Sequence, residues 1–206
     1  MIRKMSPKNQ RIYSIVLGIL AIVFVPILLL WAHSFGLNTT RLLHPEEWYT
    51  SVSINYYTNA RPIMITFIII IALLTLLYPS KTRLEKILRV VIFVSALGVI
   101  AFPCKDTNLE YVGLFQLPRT ISSGFHYFFA GTVFALSTVI FLVIYPKEAS
   151  GKKQTLFIII GTIMLISCVG FFIHVFIKFP NYYIIIFETT FFMSFGVGYI
   201  FKEAQI

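Results

Sequence analysis

Glu188 is the residue whose position in this sequence most needs a chemical explanation. It lies inside the apolar and aromatic stretch 181–201, which is long enough to cross a lipid bilayer. A charged side chain at the centre of a membrane helix costs about 2.5–3.5 kcal/mol on insertion scales. The fold must therefore hydrogen-bond this carboxylate, protonate it, or use it in binding or catalysis.

Two histidines are expected at the same depth as Glu188. His126 begins one apolar segment, and His174 lies one turn before the end of another. Glu188 itself is seven residues, or about 10 Å of helix, into its own segment. If the segments alternate across a membrane, these three side chains and that of His33, which ends the first segment, lie in its outer third. The inner halves of the segments are predicted to be almost free of charge.

Helical spacing predicts which residues share a face with these polar groups. Glu188 is followed at that spacing by three aromatic rings, Phe191, Phe192 and Phe195. His126 is followed on its own face by small or β-branched residues, Ala130, Val133 and Ser137. Polar groups are therefore expected beside a largely apolar wall.

These residues stand in a chain with the composition of a membrane protein. Of its 206 residues, 58% are hydrophobic and 12% charged, and its mean hydropathy is +0.85. Soluble domains average about 45–50% apolar and about 25% charged residues. We predict an all-α fold, a polytopic helix bundle forming a single domain over residues 1–206. Its six transmembrane helices are predicted at residues 12–33, 62–78, 87–102, 125–145, 155–177 and 183–201.

The basic residues predict the orientation of this bundle. Twelve of the 17 lysines and arginines fall on one side of the six-segment topology, which is typical of the cytoplasmic side. Both termini are therefore predicted to be cytoplasmic, in a multi-pass protein of the cell (plasma) membrane. The same distribution explains the net charge of +9 without a nucleic-acid partner. The first segment is interpreted as a retained anchor, because its apolar run exceeds that of a signal peptide.

A loop on the outer side adds further candidate binding groups. Arg61 would attract an anionic headgroup, and Tyr56 and Tyr57 would line the rim of a pocket. The favoured interpretation is a non-enzymatic protein that binds a membrane lipid or other amphiphilic small molecule near the outer leaflet. Its predicted ligand-binding residues are Glu188, His126, His174, Arg61, Tyr56, Tyr57 and Ser53.

Two other functions stay open. The first is a membrane-embedded lipid hydrolase or transferase in which Glu188 and His126 are the candidate catalytic residues. Its nucleophile would come from one of four serines, Ser51, Ser53, Ser122 or Ser123. The second is a proton-coupled transporter in which Glu188 titrates. A homo-oligomer or another membrane protein also stays open as a partner.

A metal site is the least supported alternative. Two histidines and a glutamate form a known catalytic zinc set, and His126, His174 and Glu188 would supply it. No short metal-binding spacing accompanies them, so neither a metal nor a cofactor is predicted.

Three motifs connect the chain with a known group. They are Ser51-Val-Ser-Ile-Asn-Tyr-Tyr running to Arg61-Pro62, Phe115-Gln116 followed by Gly124-Phe-His126-Tyr, and Phe187-Glu188-Thr189. In these motifs the chain resembles the Frag/DRAM-like six-transmembrane group and related uncharacterised bacterial six-span membrane proteins. The resemblance implies a six-helix fold with Glu188, His126 and Arg61 close together at the outer face.

The chain departs from this group and its relatives at two points. Thr189 stands where the group often has tryptophan. The HxxxH pair of the alkaline ceramidase-like hydrolases, to which the group has been compared, does not occur in the sequence. The resemblance therefore implies an architecture rather than a ceramidase-like zinc activity.

Overall fold

The computed structural model describes residues 5–35, 50–104, 110–177 and 182–204. Within these ranges most residues are helical, and the remainder form the connections between the helices. The helices are α1 Pro7–Phe35, α2 Arg61–Leu77, α3 Arg83–Ala101, α4 Arg119–Val139, α5 Tyr145–Glu148, α6 Gly151–Ile177 and α7 Tyr182–Lys202. A π-helical turn, Ile140–Ile144, joins α4 to α5, so that these two helices form one continuous rod. The described chain therefore forms six helical rods.

Four of the rods are long and apolar enough to cross a membrane. They are Pro7–Ser34, Arg119–Glu148, Gly151–His174 and Tyr183–Lys202. Helix α2 is also apolar but has 17 residues, and α3 carries charged residues in its first two turns. The predicted all-helical, membrane-type architecture is thus confirmed.

The rods form a closed ring in which each is packed against the next. Helix α7 lies between α1 and α6, and α3 lies between α2 and α4. Contacts between α1 and α2 and between α4 and α6 complete the ring. The rods run alternately up and down. We call the end that holds the start of α1 and the end of α7 the terminal end, and the opposite one the loop end.

Two glycines bring the backbones of α1 and α7 into close contact. A Cβ atom on Gly18 would lie 2.5 Å from the carbonyl oxygen of Gly196, and a Cβ on Gly196 would meet Gly18 equally closely. Side chains at these positions would force the backbones apart. The two glycines therefore let α1 and α7 pack in backbone contact, as small residues do between membrane helices.

Aromatic rings form much of the packed interior of the ring of helices. The Phe134 ring of α4 stacks on the Phe191 ring of α7, with centroids 4.2 Å apart. The Phe24 ring of α1 meets the Phe192 ring edge-on at 5.0 Å. Buried rings of this size contribute large apolar contact areas. They bring α1, α4 and α7 into contact across the core.

Helix α3 begins earlier than the sequence analysis predicts, because its first turn is capped. The Thr82 hydroxyl accepts a hydrogen bond from the Glu85 N–H at 3.1 Å. The Glu85 carboxylate in turn accepts the Lys81 N–H at 2.9 Å. These bonds satisfy backbone donors that a helix start leaves free. The helix therefore starts at Arg83 rather than at residue 87.

The fourth rod is longer than predicted at both ends. It begins at Arg119 rather than at residue 125 and continues past Pro146 to Glu148. Proline lacks the N–H of a helical hydrogen bond, but Pro146 lies in the first turn of α5, just after the π-helical turn. Because the π-helical turn already replaces the regular i to i−4 bonding just before Pro146, the rod continues where the sequence predicts its end.

A small β-hairpin precedes α4 at the loop end. Its strands are β1 Tyr111–Val112 and β2 Leu117–Pro118, which pair antiparallel. Gly113 in the turn has φ +79°, and a Cβ there would lie 2.8 Å from the Ala101 carbonyl oxygen. Only glycine fits this conformation without strain. The hairpin therefore packs directly on the end of α3.

Candidate functional site

The segment 50–60 closes the loop end of the bundle. It contains a 3₁₀ turn, Ser53–Tyr57, whose side chains are mostly buried. The Ser51 hydroxyl accepts the Ile54 N–H at 3.3 Å, and the Asn55 amide donates to the Ser51 carbonyl at 3.1 Å. We call residues 50–60 the cap segment. These internal hydrogen bonds fix the conformation of the cap segment. Side chains of the helices can therefore bond to it from below.

Glu188 joins helix α7 to the cap segment. Its side chain is 4% exposed, and its Oε2 accepts the Val52 N–H at 2.6 Å. One turn earlier in α7, the Ile185 N–H donates to the Thr50 carbonyl at 3.1 Å. The carboxylate thus has a structural partner that sequence reasoning could not identify.

His126 joins α4 to both α3 and the cap segment. Its Nδ1 lies 2.8 Å from the Phe102 carbonyl oxygen, and its Nε2 lies 2.9 Å from the Ser53 Oγ. A carbonyl only accepts, so Nδ1 must carry the proton. In the neutral ring Nε2 is then an acceptor, and the Ser53 hydroxyl donates to it. Consecutive hydrogen bonds therefore join the Ser53 hydroxyl to His126 as a base, and His126 to the Phe102 carbonyl that orients it.

A cavity of about 80 Å³ lies inside the ring below the cap segment. Helices α2, α3, α4 and α7 each contribute about two turns to its wall. Glu188 and Ser53 line its upper part, and the phenylalanines that share the Glu188 face, Phe191, Phe192 and Phe195, line one side. The predicted common face of Glu188 and these rings is thus confirmed.

The far part of the cavity contains hydroxyl groups among apolar side chains. Ala130, Val133 and Ser137 of α4 line it, as their shared helical face with His126 predicts. The Ser137 Oγ is buried and has no hydrogen-bond partner among the described residues. Thr75 also lines the cavity, but its hydroxyl donates to the Ile71 carbonyl at 2.8 Å. Ser137 is therefore a buried, unsatisfied hydroxyl on the face of α4 that lines the cavity.

Arg61 and the two tyrosines are placed apart from this cavity. The Arg61 guanidinium donates to the Tyr56 hydroxyl at 2.5 Å and lies 4.0 Å from that ring's centroid. Both residues line an open groove between α2, α3 and the hairpin. The Tyr57 hydroxyl donates to the Cys104 carbonyl at 2.5 Å. The structure therefore bonds Glu188 and His126 to consecutive cap-segment residues, Val52 and Ser53, and puts Arg61 and Tyr56 on a separate surface.

His174 occupies a third position. It is 9% exposed on α6 and is not among the residues that line the cavity. Across the described ranges, no three histidine, cysteine, aspartate or glutamate side chains group closely enough to hold a metal ion. The alternative zinc set of His126, His174 and Glu188 therefore does not assemble.

A buried charged cluster at the terminal end contradicts one expectation. The halves of the helices near the chain termini are predicted to be almost free of charge, yet Glu85 and Arg89 are both 0% exposed. The Arg89 Nη2 lies 2.6 Å from the Glu85 Oε1 and 2.6 Å from the Tyr145 hydroxyl. Its Nη1 donates to the Thr75 carbonyl at 2.7 Å and to the Tyr199 hydroxyl at 3.0 Å. Arg89 is thus a buried link between four rods rather than a loop cation.

Lys202 extends this cluster. Its Nζ lies 3.4 Å from the Glu85 Oε1 and 3.2 Å from the centroid of the Tyr145 ring. The signals for the cluster are present in the sequence. Thr82 and Glu85 have capping-box spacing, and Glu85 and Arg89 are one helical turn apart. The sequence analysis counts Arg89 and Lys202 among the loop cations, and therefore does not predict that they are buried together.

The comparisons with known proteins add no further constraint. No family model, no curated protein and no solved structure matches the chain. The resemblance to the Frag/DRAM-like group therefore stays a prediction that rests on the three sequence motifs.

Proposed function

We propose that this chain is a multi-pass membrane protein that binds a single-chain lipid or similar amphiphile, without catalysis, in the cavity beneath the cap segment. The proposal keeps all six rods in the membrane and puts the loop end at the outer leaflet. The lysine-rich and arginine-rich connections then lie in the cytoplasm, in keeping with the positive-inside rule.

The observation that carries this proposal is the chemistry of the cavity wall. Apolar side chains from four helices form most of the wall, while Glu188 and Ser53 stand at its upper part. Ligand pockets typically combine a mainly apolar lining with a few placed polar groups. At about 80 Å³ the cavity suits a short apolar chain better than a two-chain lipid.

The polar contacts favour a ligand that donates a hydrogen bond near Glu188. Glu188 lines the upper part of the cavity, and carboxylate oxygens accept hydrogen bonds. A ligand hydroxyl or amine that reaches this part of the cavity would lie beside the carboxylate. Its chain would extend along Phe191 and Phe195 of α7.

Native mass spectrometry of the purified chain, released from mild detergent, tests the proposal. Wild-type protein is expected to carry an adduct of single-chain amphiphile mass. Glu188→Gln is expected to lose most of it, because the amide is a weaker acceptor than the carboxylate. Glu110→Gln is the matched control, since Glu110 is exposed and lies outside the cavity. Equal adducts in all three proteins, or none in the wild type, would count against a binding cavity.

The Ser53–His126 geometry favours a second candidate function, hydrolysis of an acyl ester. A nucleophilic hydroxyl within about 2.6–3.2 Å of its base, with the base oriented by a third group, is the arrangement of an activated serine. Here the separation is 2.9 Å, and the Phe102 carbonyl is the orienting group. Of the four candidate serines, Ser53 alone combines contact with His126 and a position on the cavity wall in the described part of the chain.

A fluorophosphonate probe separates the two candidates. If Ser53 is a nucleophile, the wild type is labelled, Ser53→Ala is not, and His126→Gln is labelled at least tenfold more slowly. Ser122→Ala is the control, because that hydroxyl donates to the Pro103 carbonyl instead. Labelling that persists in Ser53→Ala, or a wild type that stays unlabelled, would exclude this serine chemistry and leave binding as the function.

A further inference from the structure

A second pocket lies at the terminal end, away from the cavity beneath the cap segment. It has a volume of about 170 Å³ and is lined mainly by charged and polar side chains. These come from the start of α1, the connection after α2, helix α5, the start of α6 and the end of α7. The charged members are Lys81, Glu148, Lys153, Lys202 and Glu203.

Glu148 leaves an acceptor unused in this pocket. Its Oε2 lies 3.4 Å from the Lys81 Nζ, and its side chain is 15% exposed. Its Oε1 is buried and has no hydrogen-bond partner in the part of the chain that the structure describes. A buried acceptor without a partner costs about 1–3 kcal/mol, and more when it is charged. The oxygen is therefore suited to a ligand that brings a strong N–H donor.

The lysines leave donors unused in the same pocket. The Lys153 Nζ donates to the Ala204 carbonyl at 3.0 Å, and Lys202 is 7% exposed with its Nζ 3.4 Å from Glu85. An ammonium group carries three donors, and the bond to Ala204 uses one of those of Lys153, so Lys153 can still bind an anionic oxygen. The pocket thus offers donors for an anion beside one acceptor for an ammonium group.

We propose that this pocket binds an aminoethyl phosphate group, with the ammonium on the Glu148 Oε1 and the phosphate between Lys153 and Lys202. The group can arrive as the headgroup of phosphatidylethanolamine or as the free zwitterion. A trimethylated ammonium has no N–H to donate, so the choline analogue lacks the bond that Glu148 supplies. This site does not depend on the proposed function of the cavity at the loop end.

The test is titration calorimetry of the full chain in detergent with three probes. They are a short-chain phosphatidylethanolamine, the matched phosphatidylcholine and free phosphoethanolamine. Wild-type protein is expected to bind the ethanolamine lipid at least tenfold more tightly than the choline lipid. Binding of the free zwitterion as well would identify a soluble ligand, whereas binding of the lipid alone would identify a headgroup site.

Variants locate the preference in the pocket. Glu148→Gln is expected to reduce the ethanolamine-to-choline ratio to near one, and Lys153→Met to weaken binding of both lipids. Glu110→Gln, on an exposed side chain at the loop end, is the control. Equal affinity of the wild type for the two lipids, no binding of either ethanolamine probe, or an unchanged ratio in Glu148→Gln would overturn the proposal. If a variant fails to fold, the ratio of ethanolamine-lipid to choline-lipid affinity in the wild type decides the test by itself.

Discussion

At the scale of single residues, Glu188 combines a structural contact with a place on the cavity wall. Its bond to the Val52 N–H holds the cap segment on α7, and its side chain faces a cavity that is otherwise mainly apolar. Glutamine at this position keeps an oxygen that can accept the same N–H. Loss of a ligand in Glu188→Gln would therefore report on the charge rather than on detachment of the cap segment.

Ser137 permits a sharper test of what fills the cavity. Its hydroxyl has no partner among the described residues, so in ligand-free protein Ser137→Ala removes a desolvated polar group. We expect this variant to be more stable than the wild type by about 1 kcal/mol, measured by thermal unfolding in detergent. Added amphiphile should narrow the difference if its polar group binds the hydroxyl.

The control for Ser137→Ala is a serine whose hydroxyl is already bonded. The Ser167 hydroxyl donates to the Ile163 carbonyl at 3.1 Å within α6, and Ser167 is also buried. Both substitutions change helix propensity equally, so the difference between them isolates the hydrogen bond. Equal effects of the two would show that the Ser137 hydroxyl is not an unsatisfied group.

At the scale of helices, the contact between α1 and α7 depends on two small residues. Gly18→Ala places a Cβ 2.5 Å from the Gly196 carbonyl oxygen, and backbone cannot move aside as a flexible side chain can. Overpacking of this kind typically costs about 1–3 kcal/mol. We expect a lower thermal unfolding midpoint for this variant.

Gly124→Ala in α4 is the matched change, because a Cβ there meets no atom within 4 Å. It is expected to leave the midpoint unchanged or raise it slightly, since alanine favours the helix. A Gly18→Ala protein as stable as Gly124→Ala would mean that α1 and α7 are not held in backbone contact.

The elements also show what sequence reasoning can and cannot predict. Hydropathy predicts the rods because membrane helices need long apolar runs, and the 3.6-residue period correctly places Phe191 and Phe195 on the Glu188 face. The start of α3 and the continuation through Pro146 escaped prediction, because they depend on a cap and on a π-helical turn. The Val52 partner of Glu188 and the Ser53 partner of His126 lie in the cap segment, far away in sequence, and no periodicity indicates them.

At the scale of the whole molecule, Arg89 lies between the cavity beneath the cap segment and the terminal-end pocket. It donates to the carbonyl of Thr75, which lines the cavity, and to the hydroxyl of Tyr145, which lines the terminal-end pocket. A proton moving from Glu188 toward the termini would therefore have to pass a permanently charged guanidinium. Fixed positive charge of this kind excludes protons and cations from membrane pores. This argues against the transporter alternative and for a bundle closed near its terminal end.

The Arg89 cluster also makes a prediction about the stability of the whole bundle. Glu85 is the carboxylate that faces both Arg89 and Lys202, so Glu85→Gln leaves two buried cations without their counter-charge. Removing one partner of a buried ion pair costs about 3–5 kcal/mol of the free energy of unfolding. Because α2, α3, α5 and α7 all meet at Arg89, this destabilisation should affect the whole bundle. Denaturant unfolding from mixed micelles should therefore show it as a shift of one cooperative transition. Glu110→Gln, an exposed carboxylate, should change the free energy of unfolding by less than about 0.5 kcal/mol. Salt screens exposed charges much more than buried ones, so the Glu85→Gln effect should persist at high salt. If the Glu85→Gln effect were as small as that of the control, or disappeared on adding salt, the cluster would be a solvated surface network. The ring of helices would then be held together by its aromatic core and the α1–α7 glycine contact alone.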